Sequence, residues 1–414
     1  MLESEYRTLG DTIKPDSLFL VLPPSVIESN GRFYLEDQTY NGLRLWLENF
    51  NYVAVCYHYK KMDAPADNMI ALDTLARFDW LTLVPLPNAS GPFSFIRHLP
   101  SVVLKLREEI KKSHYLSFAL WGLWGDWGAV ATLLAAAQGR KVAVWTDSVA
   151  SQVVAVQGDR ALGRRRLYLK FISNVMGRYE RYVIRKSAMG LFHGMDTFQT
   201  YAPFSRQAHL VHDIHLGAEF RISNDELAAK RARLSTETLK IVYAGRANHD
   251  KGILDWIEVC ALMQNAKLDF QAIWFGDGPA LNEAHRLISK RGLGNVVTFP
   301  GPLTDRDALM AVIRDADIFM FCHKIPESPR CLVEALLSGT PIVGYYNLFA
   351  EDLIMEHHGG KLTEGTPEML AAAIHSLAIA RKSLAQLQDN AAKDGYPFVD
   401  TATFEHRSKL IKAM

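Results

Sequence analysis

One stretch of the chain decides the fold of its second half: PESPRCLVEAL, residues 326–336. It follows the apolar run DIFMFC, residues 317–322, whose length and β-prone side chains are typical of a strand buried on both faces of a parallel sheet. Ser328 and Pro329 predict the N-cap and first residue of a helix that buries Leu332. The loop therefore ends at an open helix N-terminus, where unpaired N–H groups and the helix dipole favour an anion such as phosphate.

Two carboxylates bracket this predicted anion site. Glu327 lies just before the helix, and Glu334 lies about one and a half turns into it. Their oxygens can accept hydrogen bonds from the vicinal hydroxyls of a ribose or another sugar. The segment alone fits an ordinary strand–loop–helix with exposed acids equally well, so its function depends on the rest of the chain.

Length and composition indicate a two-domain globular protein. The 414 residues exceed the roughly 250–300 at which a single hydrophobic core stops growing. A net charge of +1 argues against a chain designed as a whole to bind polyanions such as nucleic acid. Four cysteines without a Cys-x-x-Cys predict neither disulfides nor structural zinc. With a polar N-terminus and no apolar run of about 20 residues, we expect a cytoplasmic protein whose membrane contact, if any, is peripheral.

Short apolar runs alternate with helix-length segments along the whole chain, which predicts an α/β protein with doubly wound parallel sheets. The first strand is expected to end at Pro23-Pro24, with a loop over residues 31–41. We place an N-terminal domain at 1–218 and a C-terminal domain at 219–394. A last helix at 395–414 has apolar positions that need a partner surface, and packing back on the N-terminal domain would supply one.

The N-terminal half has no Gly-x-Gly-x-x-Gly after any predicted strand, which favours acceptor binding over nucleotide binding. Ligands of open α/β sheets lie beyond the carboxyl ends of the strands. The polar residues placed there are Tyr34 and Asp37 in the first loop, His58 after the second strand and Thr146-Asp147 after the fifth. Each also fits a solvated loop residue. Asp147 is the strongest, because it directly follows a buried strand and can accept a hydrogen bond from a sugar hydroxyl.

Residues 160–186 form the one strongly basic segment. Arginines and lysines dominate it, and apolar residues such as Tyr168, Phe171 and Ile172 recur with the period of a helix. A basic amphipathic helix of this kind can lie on anionic lipid, which predicts peripheral membrane contact. The alternative, equally compatible with the pattern, is a surface helix whose apolar stripe is part of the core.

The C-terminal half carries a loop with two cations. Leu239–Gly245 predicts a strand, and the loop that follows it contains Arg246 and Lys251. Two cations at the end of one parallel strand are costly unless they are solvated or matched by an anion, and a diphosphate would match them. The next strand ends in Gly276-Asp277, where a glycine lets backbone approach a ligand closely.

These motifs occur in a fixed order. With Phe299-Pro300-Gly301 and the segment SGTPIV at 338–343, they make residues 237–380 resemble the retaining glycosyltransferases of family four, also called glycosyl transferases group one. The resemblance implies a GT-B fold: two Rossmann-like domains facing a central cleft, with a nucleotide-sugar on the C-terminal domain and the acceptor on the N-terminal one. In the N-terminal half the likeness is one of architecture only.

The resemblance also implies roles for individual residues. Arg246 and Lys251 would hold the diphosphate and neutralise charge as it departs. Glu334 would hold the ribose and Glu327 the donor sugar. The other donor-binding residues would line the nucleotide pocket or meet the phosphates through their backbone: Gly245, Gly276, Asp277, Arg330, Cys331 and Leu332.

The chain departs from the family pattern at two places. Six residues separate Glu327 from Glu334, whereas the family has seven, so the role of Glu327 is the less secure. The histidine that many relatives carry after the fifth N-terminal strand is replaced by Thr146-Asp147. Its contact with the donor sugar would then fall to Asp147 or His193.

The implied reaction is transfer of a hexosyl group from a UDP- or GDP-sugar to an acceptor hydroxyl, with retention at the anomeric carbon, in polysaccharide or lipid-linked glycan synthesis. Front-face attack assisted by the leaving phosphate needs no cofactor and no metal. The triplets Asp305-Arg306-Asp307 and Asp315-Ala316-Asp317 are interpreted as structural, the first as the capped start of a helix. Two alternatives remain open: a nucleotide-sugar-binding protein without transferase activity, and a GT-B epimerase or phosphorylase.

Overall fold

The computed structural model describes residues 13–66, 68–234, 238–325 and 328–414. The chain forms two compact units. Unit 1 comprises Met1–His215 and Thr401–Met414, and unit 2 comprises Leu216–Asp400. The sequence analysis placed the corresponding boundaries after residues 218 and 394.

Unit 1 is built on one nine-stranded sheet. Its parallel strands run in the order β5-β3-β1-β6-β7-β8-β9, and β2 and β4 add an antiparallel extension beside β1. The strands are β1 Lys14–Ser29, β2 Arg32–Glu36, β3 Tyr52–Lys61, β4 Met69–Ala71, β5 Leu81–Leu86, β6 Ser113–Ala119, β7 Ala143–Thr146, β8 Met189–His193 and β9 Ala208–Val211.

Unit 2 is built on a six-stranded parallel sheet of order β12-β11-β10-β13-β14-β15. Strand order reverses between β10 and β13, and ligands of doubly wound sheets bind at the carboxyl ends beside such a reversal. The strands are β10 Leu239–Ala244, β11 Phe270–Phe275, β12 Val297–Gly301, β13 Ile318–Phe321, β14 Ile342–Tyr345 and β15 Gly360–Thr363.

Helices connect the strands in both units. They are α1 Asp37–Asn49, α2 Pro92–Lys112, α3 Trp127–Ala137, α4 Ala150–Arg160, α5 Gly163–Lys186, α6 Met195–Tyr201, α7 Asn224–Arg233, α8 Ile253–Asn265, α9 Leu281–Arg291, α10 Arg306–Asp315, α11 Arg330–Leu337, α12 Leu348–Leu353, α13 Pro367–Ile379, α14 Arg381–Gly395 and α15 Asp400–Ala413. None of the helices in the described ranges is long and apolar enough to cross a membrane. The predicted fold class, α/β with doubly wound parallel sheets, is confirmed.

The central strand β1 explains why the sheet of unit 1 has two covered faces. Phe19 and Val21 pack on one face with α2 and α3, and Leu18 and Leu20 pack on the other with α1. All four side chains are at most 1% exposed. A continuous apolar run rather than an alternating one is what a strand buried on both sides requires.

The structure corrects the expected end of β1. The strand does not stop at Pro23-Pro24 but continues to Ser29, with a shift in register between Val21 and Ser25. Proline has no N–H to donate, so the ladder is interrupted there and then resumes. The predicted loop at 31–41 is therefore the antiparallel strand β2 followed by the first turn of α1.

The last helix, α15, belongs to unit 1 although unit 2 separates it from the rest of that unit in sequence. Phe404 is 1% exposed, and its ring lies 5.0 Å from that of Trp46. Arg407 is also buried, and it donates a hydrogen bond to Asp213 at 3.2 Å. The helix thus completes the core on the α1 face of the sheet.

Candidate functional site

The loops after β10, β11 and β12 are joined through their backbones. The N–H of Gly245 donates to the carbonyl of Phe275 at 2.9 Å, and the N–H of Gly276 donates to that of Gly301 at 3.0 Å. A Cβ on Gly276 would lie 2.0 Å from the carbonyl oxygen of Gly245. Only glycine permits this approach, which fixes the start of the Arg246 loop against its neighbour.

The far end of the same loop is fixed against β13. Gly252 has a φ of +69°, and a Cβ there would lie 2.0 Å from the carbonyl oxygen of Cys322. The N–H of Lys324 donates to the carbonyl of Asp250 at 2.8 Å. Lys251 is therefore held beside the end of β13, the strand that leads to α11.

The two predicted cations differ in exposure. Arg246 is exposed, whereas Lys251 is half-buried and its backbone N–H donates to the side chain of Asn248 at 2.9 Å. His323, near Lys251, is buried, and its Nε2 lies 2.8 Å from the hydroxyl of Tyr243. Burial first, and the nearby Lys251 second, hold the pKa of His323 well below its usual value. The imidazole is therefore neutral near pH 7, and the positive charge of this loop rests on Arg246 and Lys251.

Glu334 has a partner that the sequence analysis did not identify. Nη1 of Arg306 donates to its Oε1 at 2.7 Å, and the carboxylate side chain is only 8% exposed. Arg306 is the first residue of α10, where the helix dipole disfavours a cation. A cation at a helix N-terminus indicates that an anionic group lies nearby, but the sequence does not identify that group.

The start of α11 differs from the prediction by one residue. Pro329 takes the N-cap position in an extended conformation and the helix begins at Arg330, so Ser328 is not the cap. Arg330 and Cys331 are half-buried and Leu332 is buried. Glu327, the proposed contact to the donor sugar, lies outside the described residues.

The remaining donor-side residue, Asp277, is exposed in the loop after β11. Its Oδ1 accepts a hydrogen bond from the N–H of Gly278 at 2.6 Å, and its backbone carbonyl accepts one from Ala247 at 2.9 Å. Asp277 thus lies beside the Arg246 loop, one strand further along the sheet.

The predicted acceptor residues lie in unit 1 on separate elements. Tyr34 is half-buried in β2, and Asp37 opens α1, where its Oδ1 accepts from the N–H of Gln38 at 2.6 Å. Asp147 is exposed directly after β7. His193 is only 1% exposed and stacks on Trp145 at 5.2 Å, so its ring offers almost no surface to an acceptor. The role of His193 as a contact to a substrate stays a prediction.

Both Asp-x-Asp triplets have structural partners. Asp305 caps α10 by accepting from the N–H of Ala308 at 3.1 Å. Asp317 accepts from the N–H of Lys240 at 2.9 Å, and Asp315 pairs with the ammonium of the same lysine at 3.1 Å. In the described part of the chain, no group of three or more His, Cys, Asp or Glu side chains is arranged to hold a metal ion.

The sequence of the C-terminal half is similar to known proteins. Residues 224–394 match the family model for glycosyl transferases group 1. The 2-deoxystreptamine glucosyltransferase of Streptomyces kanamyceticus is 29% identical over 175 residues, which make up 42% of this chain and 43% of that protein. The chain thus spans less than half the length of this curated relative.

Two solved structures resemble the whole chain. HepE of Anabaena, in complex with UDP and glucose, has a TM-score of 0.63 at 16% identity, and the match covers 96% of this chain and 100% of that one. Sucrose-phosphate synthase of Thermosynechococcus elongatus has a TM-score of 0.67 at 15% identity, covering 96% and 98%. At such identities the likeness shows the fold alone, and it is the GT-B fold that the motifs predicted. Residues 224–394 therefore belong to the glycosyl transferases group 1, within a chain that has the GT-B fold.

Proposed function

We propose that the chain is a retaining glycosyltransferase that moves a hexosyl group from a UDP- or GDP-sugar to an acceptor hydroxyl in polysaccharide or lipid-linked glycan synthesis. One observation carries the proposal. Close backbone contacts, two of which require glycine, join the ends of β10 to β13. They fix the Arg246 end of the loop against the loop after β11, and they hold Lys251 beside the strand that leads to α11. The family match over the same residues supports a nucleotide-sugar as the donor.

In this proposal the chemistry is mainly electrostatic. As the bond to the anomeric carbon breaks, negative charge grows on the diphosphate, and Arg246 and Lys251 stabilise it. The start of α11, at Arg330 and Cys331, presents the positive end of the helix dipole, which favours the negative charge of the phosphates. The departing phosphate assists front-face attack by the acceptor, which gives retention. The two cations take the part that a metal has elsewhere, so we expect full activity in the presence of a chelator.

The donor's nucleoside would lie along Gly245, Gly276 and Asp277, with the ribose hydroxyls on Glu334. Arg306 holds the Glu334 carboxylate in one orientation through the 2.7 Å hydrogen bond. Glu327 would contact the transferred sugar. On the acceptor side we retain Tyr34, Asp37 and Asp147 as proposed contacts, because none of the three is buried.

The decisive experiment measures release of nucleoside diphosphate from UDP- and GDP-sugars in the presence of a panel of glycan acceptors. Arg246→Ala and Lys251→Ala should each lower kcat about 100-fold, the usual effect of removing one donor to developing charge. Arg286→Ala is the matched control, because Arg286 is an exposed cation on α9 of the same unit. Near-normal turnover of the first two variants at saturating donor would contradict the proposed roles.

A thermal-shift measurement separates the alternatives. UDP or GDP should raise the melting temperature by mass action, and less so in the Arg246→Ala variant. A raised melting temperature without any release of nucleoside diphosphate would indicate a binding protein that lacks transfer. The anomeric configuration of the product, read by NMR, tests retention directly.

A further inference from the structure

Helices α4 and α5 form an antiparallel hairpin. At its base, the N–H and hydroxyl of Ser151 donate to Glu180 at 3.0 and 2.7 Å. Near its tip, Asp159 pairs with Lys170 at 3.0 Å. The chain enters the hairpin at the carboxyl end of β7 and leaves it at the amino end of β8.

This connection makes the hairpin project from the sheet. Ser151 lies in the first turn of α4, at the carboxyl end of β7. Since Ser151 contacts Glu180, this residue of α5 also lies level with the carboxyl end of β7. The part of α5 from Gly163 to Glu180 therefore extends beyond that level, by about 25 Å at 1.5 Å per residue. The hairpin tip, which we define as residues 160–171, lies on the side where the proposed acceptor residue Asp147 also lies.

The apolar residues of α5 divide into two groups along its length. Toward the base Val183 and Ile184 are 0% exposed, although Tyr182 beside them is 50% exposed. At the hairpin tip Leu167 is 72% and Phe171 65% exposed, and Leu162, just before α5, is 87% exposed. The interpretation of the stripe as core thus holds for the base only. Exposed apolar side chains grouped in this way usually mark an interaction surface.

The hairpin tip is also strongly positive. It contains five cations, although the whole chain has a net charge of only +1. The nearest acid in sequence is Asp159, which pairs with Lys170 and lies 4.0 Å from Arg166. The cations are Arg160, Arg164, Arg165, Arg166 and Lys170. A surface that alternates exposed apolar groups with cations complements an anionic bilayer, whose headgroups attract the charges and whose acyl boundary accepts the apolar groups. A second copy of the chain would instead bring five cations against five.

We propose that the hairpin tip docks unit 1 onto an anionic membrane surface. Arg164, Arg165 and Arg166 contact lipid headgroups, and Leu167 and Phe171 enter the boundary of the acyl region. This docking goes beyond the proposed transfer and does not depend on it. Where transfer does occur, docking would present the carboxyl edge of the unit 1 sheet to acceptors held at the lipid surface.

The test is co-sedimentation of the full chain with vesicles of phosphatidylcholine alone or mixed with phosphatidylglycerol. We expect binding to the mixed vesicles only, weakened by added salt because the attraction is screened. Combined Arg164→Glu, Arg165→Glu and Arg166→Glu should lower the partition coefficient at least about 10-fold, since each cation contributes separately near the surface. Arg286→Glu, Lys361→Glu and Lys382→Glu form the matched control, being exposed cations of unit 2 whose reversal changes the net charge equally.

A second pair of variants tests the apolar part. Leu167→Ser with Phe171→Ser should also weaken binding, whereas Met355→Ser with Ile379→Ser, exposed apolar residues of unit 2, should not. Tyr168→Trp supplies an optical readout, because its emission should shift to the blue on mixed vesicles. Unchanged partition of the triple glutamate variant would overturn the proposal. So would a dimer, measured by light scattering without lipid, that the Leu167→Ser and Phe171→Ser changes dissociate.

Discussion

The ion pair between Arg306 and Glu334 joins two residues that the sequence analysis treated separately. Glu334 had a proposed role, and Arg306 was only the middle of a capped triplet. The pair brings the start of α10 against α11, and it leaves the buried carboxylate with a partner of opposite charge. A buried carboxylate without such a partner becomes costly to ionise. Arg306 is therefore a positioning residue for the proposed ribose contact.

Removing Arg306 should affect donor binding more than turnover. We expect Arg306→Ala to raise KM for the donor about 10-fold with a smaller change in kcat, because a ribose contact serves the ground and transition states alike. Arg306→Lys should restore part of the loss, since it keeps the charge but not the guanidinium geometry.

Steady-state kinetics with varied donor make the measurement. Arg314→Ala is the control, because Arg314 lies on the same helix and pairs instead with Glu226. An unchanged donor KM in Arg306→Ala, with the fold intact, would refute the positioning role.

At the scale of elements, the sequence predicted the parallel strands but not the antiparallel strands β2 and β4. Buried strands such as β10 and β13 are continuous apolar runs, which sequence shows directly. The antiparallel strands β2 and β4 are short and half-exposed, so they lack that signal. The prolines in β1 were interpreted as a stop because nothing local shows that pairing resumes after the interruption. The positions of the strand-end loops followed from topology, whereas the pairing of Arg306 depends on tertiary packing.

The glycine contacts of the strand-end loops give a sharp test of how the site is held. Gly252→Ala should displace the Lys251 loop, because a Cβ would lie 2.0 Å from the carbonyl oxygen of Cys322. Gly292 has the same φ of +69°, but a Cβ there would meet nothing within 4 Å. Gly292→Ala should therefore lower the free energy of unfolding only by the strain of an alanine in left-handed backbone, about 1–2 kcal/mol.

The measurement compares the two variants by nucleotide thermal shift and by denaturant unfolding. Gly252→Ala should lose most of the shift caused by UDP or GDP and should unfold more readily than Gly292→Ala. Equal behaviour of the two variants would mean that the approach to β13 does not position Lys251.

On the scale of the whole molecule, unit 1 is discontinuous in sequence. Its core on the α1 face includes Phe404 and Ile411 from α15, although residues 216–400 belong to unit 2. The apolar positions of the last helix predicted a partner surface. Sequence alone did not identify the aromatic cluster of Trp46 and Phe404, because residues so far apart along the chain show no shared pattern.

Truncating Phe404 tests whether α15 stabilises unit 1. We expect Phe404→Ala to lower the free energy of unfolding by about 3–5 kcal/mol, as for other buried phenylalanines. Lys409→Ala, on the exposed side of the same helix, should change it by no more than about 0.5 kcal/mol. Denaturant unfolding followed by tryptophan fluorescence reports on this directly, because Trp46 contacts Phe404. Similar values for the two variants would show that the helix is not part of the core.

Because unit 1 is discontinuous in sequence, the two units can complete their folding only in a certain order during biosynthesis. Unit 2 has all of its residues once Asp400 has been translated, whereas the sheet of unit 1, begun first, waits for Phe404 and Ile411 to cover one face. Nascent unit 1 therefore presents apolar surface around Trp46 to the cell throughout the synthesis of unit 2. A ribosome-bound chain arrested before residue 401 should consequently recruit chaperones more strongly than the released protein.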